Sequence, residues 1–101
     1  MNITYKREEG KLFIGLCGEL DHHNAEKARV ALDSLIDEEK ISSLVFDLKK
    51  LSFMDSTGIG VLLGRYKRLK DKNVVVYCQN AEGNIDKLLK LSGIYNIFIK
   101  I

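Results

Sequence analysis

Proline is absent from this chain, cysteine occurs only twice, the net charge is close to zero, and no apolar run is long. Each shortage excludes something. With no proline, no low-complexity tract and no internal repeat there is no linker to divide the chain, and 101 residues is the size of one domain. Cys17 and Cys78 stand alone in apolar, strand-like segments without Cys-x-x-Cys spacing. That pattern suits reduced core thiols, not a disulfide or a metal site. Sixteen Lys and Arg against fourteen Asp and Glu leave only +2, with signs alternating as in Lys6-Arg7-Glu8-Glu9. A nucleic-acid binder shows a one-sided basic face, so no nucleic acid is expected as partner. The apolar runs fall far short of the ~20 residues of a membrane span. No basic leader precedes an apolar stretch, so the expectation is a cytoplasmic chain with no membrane association.

What is present is an ordinary globular mixture, 46% hydrophobic and 30% charged, whose apolar period switches along the chain. Ile3–Glu8 reads as a strand, Glu9-Gly10 as a hairpin turn, and Leu12–Gly18 as a mostly buried strand. Asp21 is placed to cap a helix in which Ala25, Ala28, Leu32, Leu35 and Ile36 form one stripe to about Glu39. Ser43–Leu48 is the next strand, and Lys49–Asp55 reads as a loop. A second helix runs from Ser56 to Leu69 or Lys70, with Ile59, Leu62, Leu63, Tyr66 and Leu69 inward. After the break at Asp71-Lys72-Asn73, Val74–Cys78 reads as a strand buried on both faces. Asn80 is expected to cap a third helix that Gly93 ends, and Ile97–Ile101 closes the chain as a strand.

The order β-β-α-β-α-β-α-β calls for an α/β fold, a mainly parallel sheet of four or five strands with right-handed crossover helices. In such a sheet the loops Glu19–His23, Lys49–Ser56 and Gln79–Glu82 emerge at one edge, the carboxyl ends of the parallel strands. Ligands and partners of open α/β sheets meet that edge. Asp21 and Ser56 should therefore be neighbours.

Four readings compete for Phe53-Met54-Asp55-Ser56-Thr57-Gly58-Ile59-Gly60. In the first, Asp55 or Ser56 simply caps the helix and the glycines permit close packing. Two glycines in an early turn cost up to about 1 kcal/mol each against alanine, so packing or the approach of another molecule must offset them. In the second, Gly58-x-Gly60-x-x-x-Gly64 is a dinucleotide-binding loop. Its glycines lie within a helical stripe, not in the turn before it, and Gln79 stands where the ribose-binding acid belongs. In the third, Ser56 is a hydrolase nucleophile, but Met54 occupies the position that the nucleophile elbow gives to glycine. In the fourth, Ser56 accepts a phosphoryl group. A hydroxyl at a helix N-terminus is reachable, and the backbone N–H groups there favour an anion. The adjacent His22 and His23 do not converge on one ion and read as polar surface near the cap. The first and fourth readings remain open on residues alone.

Three stretches carry a resemblance to the STAS domain family and, within it, the anti-sigma factor antagonists. They are Gly18-Glu19-Leu20-Asp21-His22-His23-Asn24-Ala25-Glu26, Leu51 through Lys67, and Leu91-Ser92-Gly93-Ile94-Tyr95. The Gly-Glu-Leu-Asp-His-His stretch is most similar to the sporulation branch. The resemblance implies a binding protein and not an enzyme, with no cofactor. It implies Ser56 as the phosphorylated residue, an anti-sigma F factor that is itself the serine kinase, and a serine phosphatase that restores the free hydroxyl. Asp21, Asp55, Ser56, Thr57, Gly58, Ile59, Gly60 and Arg65 are the positions it assigns to partner binding. Thr57 replaces a serine and leaves a second acceptor hydroxyl. The family usually ends in a fourth helix, and with the sequence stopping at Ile101 that helix is expected to be either naturally absent or cut off by truncation.

Overall fold

A computed structural model describes all of Met1–Ile101. Nine elements follow in order: β1 (Asn2–Glu8), β2 (Lys11–Leu20), α1 (Ala25–Glu38), β3 (Ser43–Asp47), β4 (Leu51–Met54), α2 (Ser56–Leu69), β5 (Val75–Gln79), α3 (Gly83–Ser92) and β6 (Ile99–Lys100). Glu9 and Gly10 both take positive φ, 48° and 81°, the geometry that matches a two-residue turn to strand twist. β1 accordingly pairs antiparallel with β2, and every other pairing in the sheet is parallel.

The strand order β1-β2-β3-β5-β6 advances in one direction after the hairpin. Right-handed crossovers that never reverse direction set every helix on the same face of the sheet. The burial pattern agrees. A single core gathers Leu12, Ile14, Leu16, Leu44, Phe46, Val76 and Cys78, alternate residues of one pleat, with Leu32, Leu62 and Leu89 from the three helices. Phe46 and Phe98 stack at its centre with ring centroids 6.0 Å apart. No helix is long and apolar enough to cross a membrane.

Five expectations need correction. Val74–Cys78 is not buried on both faces, because the helix-free side leaves Val75 41% exposed. Lys49–Asp55 is not all loop: β4 lies within it and extends the sheet to six strands, pairing Leu51, Phe53 and Met54 with Gly18, Glu19 and Leu20. Four residues with a buried-exposed-exposed-buried pattern carry no period to read. α1 begins at Ala25, since Asp21 caps a preceding turn through the N–H of Asn24 at 3.1 Å. α3 begins at Gly83, and Asn80 sits at φ 62° with its amide on Asp47. The last strand shrinks to Ile99–Lys100 because Ile94–Asn96 forms a 3-10 turn after Gly93.

α1 and α2 are clamped side by side by an ionic cluster. Asp33 of α1 takes Arg65 Nε at 2.8 Å and Arg68 Nη1 at 2.6 Å, and Asp37 takes Arg68 Nη2 at 2.8 Å. Arg65 is only 6% exposed, so its counter-charge is structural. Removing one partner of a buried ion pair strands the other. Asp33→Ala should therefore lower stability by about 2–3 kcal/mol in urea unfolding, at or just below the low end of the range for a buried pair because Asp33 itself keeps some solvent contact. A loss below about 0.5 kcal/mol, the size of an ordinary surface change, would show that the clamp carries no weight.

Candidate functional site

Three chain segments converge where α2 begins. β4 ends at Met54, Asp55 is extended (φ −114°, ψ −173°), and α2 starts at Ser56. The backbone N–H of Asp55 donates to the Leu20 carbonyl at 3.4 Å, continuing the β2–β4 ladder by one bond. Its carboxylate then divides. Oδ1 accepts the N–H of Gly58 at 3.0 Å, capping the helix, while Oδ2 accepts the N–H of His22 at 3.2 Å. The hydrogen bond from Gly58, helped by those from His22 and Thr57, holds the Asp55 carboxyl below the usual carboxylate range.

The loop after β2 is held just as closely. Asp21 accepts the Asn24 N–H through Oδ1, and the Asn24 amide donates to the Glu19 carbonyl at 2.9 Å. Because His22 is tied to Asp55, the loop carrying Asp21 and the helix start carrying Ser56 share one rim, as the strand-edge reasoning requires. The third loop of that edge is also fixed. Asp47 accepts from the Lys49 N–H at 3.0 Å and the Asn80 amide at 3.1 Å. His22 and His23 are exposed, and no cluster of three His, Cys, Asp or Glu side chains is arranged to hold a metal ion.

The eight residues assigned to partner contact do not all face outward. Ser56 and Gly60 are exposed, Asp21 and Asp55 are half-buried on the rim, and half-buried Thr57 lines a shallow depression with Gly60, Val61 and Ala25. Gly58, Ile59 and Arg65 are buried, although Arg65 also lines the depression beside Thr57. Ile59 belongs to the core at 7% exposure, as a period of 3.6 from Leu62 and Tyr66 demands, and Arg65 is spent on Asp33. These three support the surface from beneath.

The two glycines also separate. A Cβ on Gly58 would lie 2.4 Å from the Leu20 carbonyl oxygen and 2.6 Å from Met54 Cγ, so the helix can approach β2 only with hydrogen there. A Cβ on Gly60 would meet nothing within 4 Å. Packing therefore explains the first glycine and leaves the second unexplained inside the chain. The contributions that sequence reasoning missed are backbone groups, the Leu20 carbonyl and the His22 N–H, which no side-chain pattern reveals.

A family model for the STAS domain matches residues 2–101. The chain belongs to the STAS domain family. Among its STAS relatives is the anti-sigma F factor antagonist of Paenibacillus polymyxa, 36% identical over 97 residues that span 96% of this chain and 83% of that protein. The anti-sigma-B factor antagonist of Bacillus subtilis is 30% identical across 96% of this chain and 87% of its own length. The antagonist SpoIIAA has been solved in two forms. The unphosphorylated form gives a TM-score of 0.74 at 25% identity, covering 99% of this chain and 87% of that one. The phosphorylated form, from Bacillus, gives 0.75 at 27% identity, covering 99% and 91%. These named relatives are regulatory antagonists and not enzymes.

Two outcomes test the site's construction. Gly58→Ala should destabilise the STAS domain by about 1–3 kcal/mol through overpacking against Leu20. Gly60→Ala should stabilise it by up to about 1 kcal/mol, and opposite signs in urea melts are the check. Separately, the folded-state pKa of Asp55 is depressed, so its cap contributes fully above the ordinary carboxylate range and is lost as pH falls through the lowered value. An NMR titration of the Asp55 carboxyl carbon should show a midpoint below that of unstructured aspartate. A normal midpoint would mean that the two backbone hydrogen bonds are not formed.

Proposed function

We propose that this chain is an anti-sigma factor antagonist of the sigma F type, switched by phosphorylation of Ser56. In this reading, the unphosphorylated chain docks on an anti-sigma factor through the rim of Asp21, Asp55, Ser56, Thr57 and Gly60, and the sigma factor is released. The anti-sigma factor, acting as a serine kinase, transfers a phosphoryl group to Ser56 and so ends its own capture, and a phosphatase reverses the step. The nucleotide and metal chemistry belongs to the kinase, while this chain supplies the hydroxyl and the surface.

One observation carries the proposal: an exposed serine opens α2 directly after an Asp55 cap that is already satisfied. A dianion on Ser56 does not compete for the cap, because Asp55 holds the Gly58 N–H. Nor does it find a free guanidinium, because Arg65 is paired with Asp33 and Arg29 with Glu26 and Asp33. Beside Asp21 and Asp55 the added charge stays unneutralised and outward, where a docked partner would have to desolvate it. The helix N-terminus meanwhile tolerates it, so binding changes and the fold does not. Similarity to SpoIIAA in both forms, at nearly equal TM-scores, supports a switch without refolding. Greater exposure at Ser56 than at Thr57 favours the former as acceptor.

The sigma F assignment rests on the greater identity to the anti-sigma F antagonist. The anti-sigma-B relative gives the second reading, a general-stress antagonist. Incubation with each anti-sigma factor and ATP, followed by peptide mass spectrometry, tests both. Phosphate should appear on Ser56 with the sigma F partner, whereas phosphate on Thr57, or none with either factor, would contradict the site. Ser56→Asp should weaken binding about tenfold or more while leaving the circular dichroism spectrum native. Unchanged affinity would remove the charge mechanism.

A further inference from the structure

One arginine of the α1–α2 clamp is short of a partner. Asp33 alone serves three guanidinium groups, those of Arg29, Arg65 and Arg68. Arg29 has Glu26 as a second acid and Arg68 has Asp37, whereas Arg65 has none. The contact of Arg65 with Asp33 uses Nε. Its Nη1 is sealed from water with neither a hydrogen bond nor an ion pair. A buried donor left unmatched is unfavourable, the more so on a charged group, and requires an explanation. Burial outweighs the pull of Asp33 and holds the Arg65 pKa below the ordinary arginine value, and the like charges of Arg68 and Arg29 add to the effect. This guanidinium is under-compensated.

Arg65 lines the shallow depression near the starts of α1 and α2. Around it stand Ala25, Glu26 and Arg29 from α1, with Thr57, Gly60 and Val61 from α2. Two positive side chains, Arg29 and Arg65, face one negative side chain, Glu26, so the lining is positive on balance. The N-terminus of α1 adds partial charge of the same sign, because Asn24 makes no side-chain cap to neutralise it. Gly60 leaves the hollow without a side chain, since a Cβ there would meet nothing within 4 Å. Glycine weakens a helix, and no contact inside the chain requires it at this position. Room for a group from outside accounts for it.

A positive, open hollow beside an unmatched guanidinium suits a carboxylate, which accepts charge-assisted bonds from two N–H donors at once. A cation is repelled there, and a neutral amide leaves the charge of Arg65 uncompensated.

We infer that this depression is a socket for an acidic side chain, an Asp or Glu of the anti-sigma factor, which docks against Arg29 and Arg65. The inference rests on the function proposed above and names the chemistry of its docking surface. In the free chain Glu26 pairs with Arg29, but both are exposed, and pairs of that kind contribute little and exchange readily. The incoming carboxylate takes the place of Glu26, which turns to water. The position of the switch follows as well. Ser56 immediately precedes Thr57, so a phosphate there sets like charge beside the entering carboxylate.

Arg65→Ala would break the α1–α2 clamp, so the test uses the exposed residues of the socket. Titration calorimetry with the anti-sigma factor, at low and at high salt, compares the unphosphorylated chain with two variants. Arg29→Gln should weaken binding about tenfold and flatten its salt dependence. Glu26→Gln should tighten binding about threefold, because it removes the acid that competes for Arg29. Both should keep a native circular dichroism spectrum. Losing an ordinary surface contact would tighten nothing. Unchanged affinity in Arg29→Gln, or a Glu26→Gln chain that binds no more tightly than wild type, overturns the socket. If Ser56→Asp still weakens binding in that event, the proposed switch stands without it. A wild-type chain that binds no anti-sigma factor overturns both.

Discussion

The carboxylate of Asp55 accepts one backbone N–H from its own helix and one from the loop after β2, while its backbone N–H continues the β2–β4 ladder. Two stretches distant in sequence, the end of β2 with its loop and the β4–α2 junction, are thereby joined at one residue. The direction of α2, the height of Ser56 above the sheet and the closeness of Asp21 all follow from it. The ionised carboxylate makes the stronger, charge-assisted form of these bonds, and its lowered pKa is the same fact in another form. Gly58 completes the junction by letting the first turn of α2 lie against the Leu20 carbonyl.

From this junction upward, the molecule separates support from display. Ile59 and Arg65 anchor α2 to the core and to α1, and both are buried. Ser56 and Gly60 are exposed, and a Cβ on Gly60 would meet nothing within 4 Å. The proposed switch at Ser56 needs that independence. A hydroxyl that took part in the fold could not receive two negative charges without unfolding what it held together. The one-sided placement of the helices divides the sheet in the same sense, into a face that makes the core and a face left open.

Much of this is legible in the sequence because strong periods mark it. The two long helices, the hairpin at Glu9-Gly10, the αL stop at Gly93 and the shared strand edge follow from spacing and turn chemistry. The short or irregular pieces were not legible. β4 has no alternation, and it exists because Gly18, at φ 101°, lets β2 bulge and take a second parallel partner. Asn24 and Glu82 serve as the residues before their helices without a side-chain hydrogen bond, so capping preference misplaced both helix starts. The resemblance assigns Ile59 and Arg65 to partner contact, whereas the helical stripe itself places Ile59 inside. The single-direction strand order, which leaves one sheet face bare, is a property of topology that no local pattern contains.

The central claim is that Ser56 can carry a phosphate on a junction that does not rearrange. Two-dimensional amide NMR spectra of the chain before and after stoichiometric phosphorylation test that claim most directly. Shift changes confined to Leu20–Asn24 and the first turn of α2, with the core amides of β3 and β5 unmoved, are what the junction predicts. Changes spread through β3, β5 and α3 would show that the charge acts by altering the fold, and the account would be wrong.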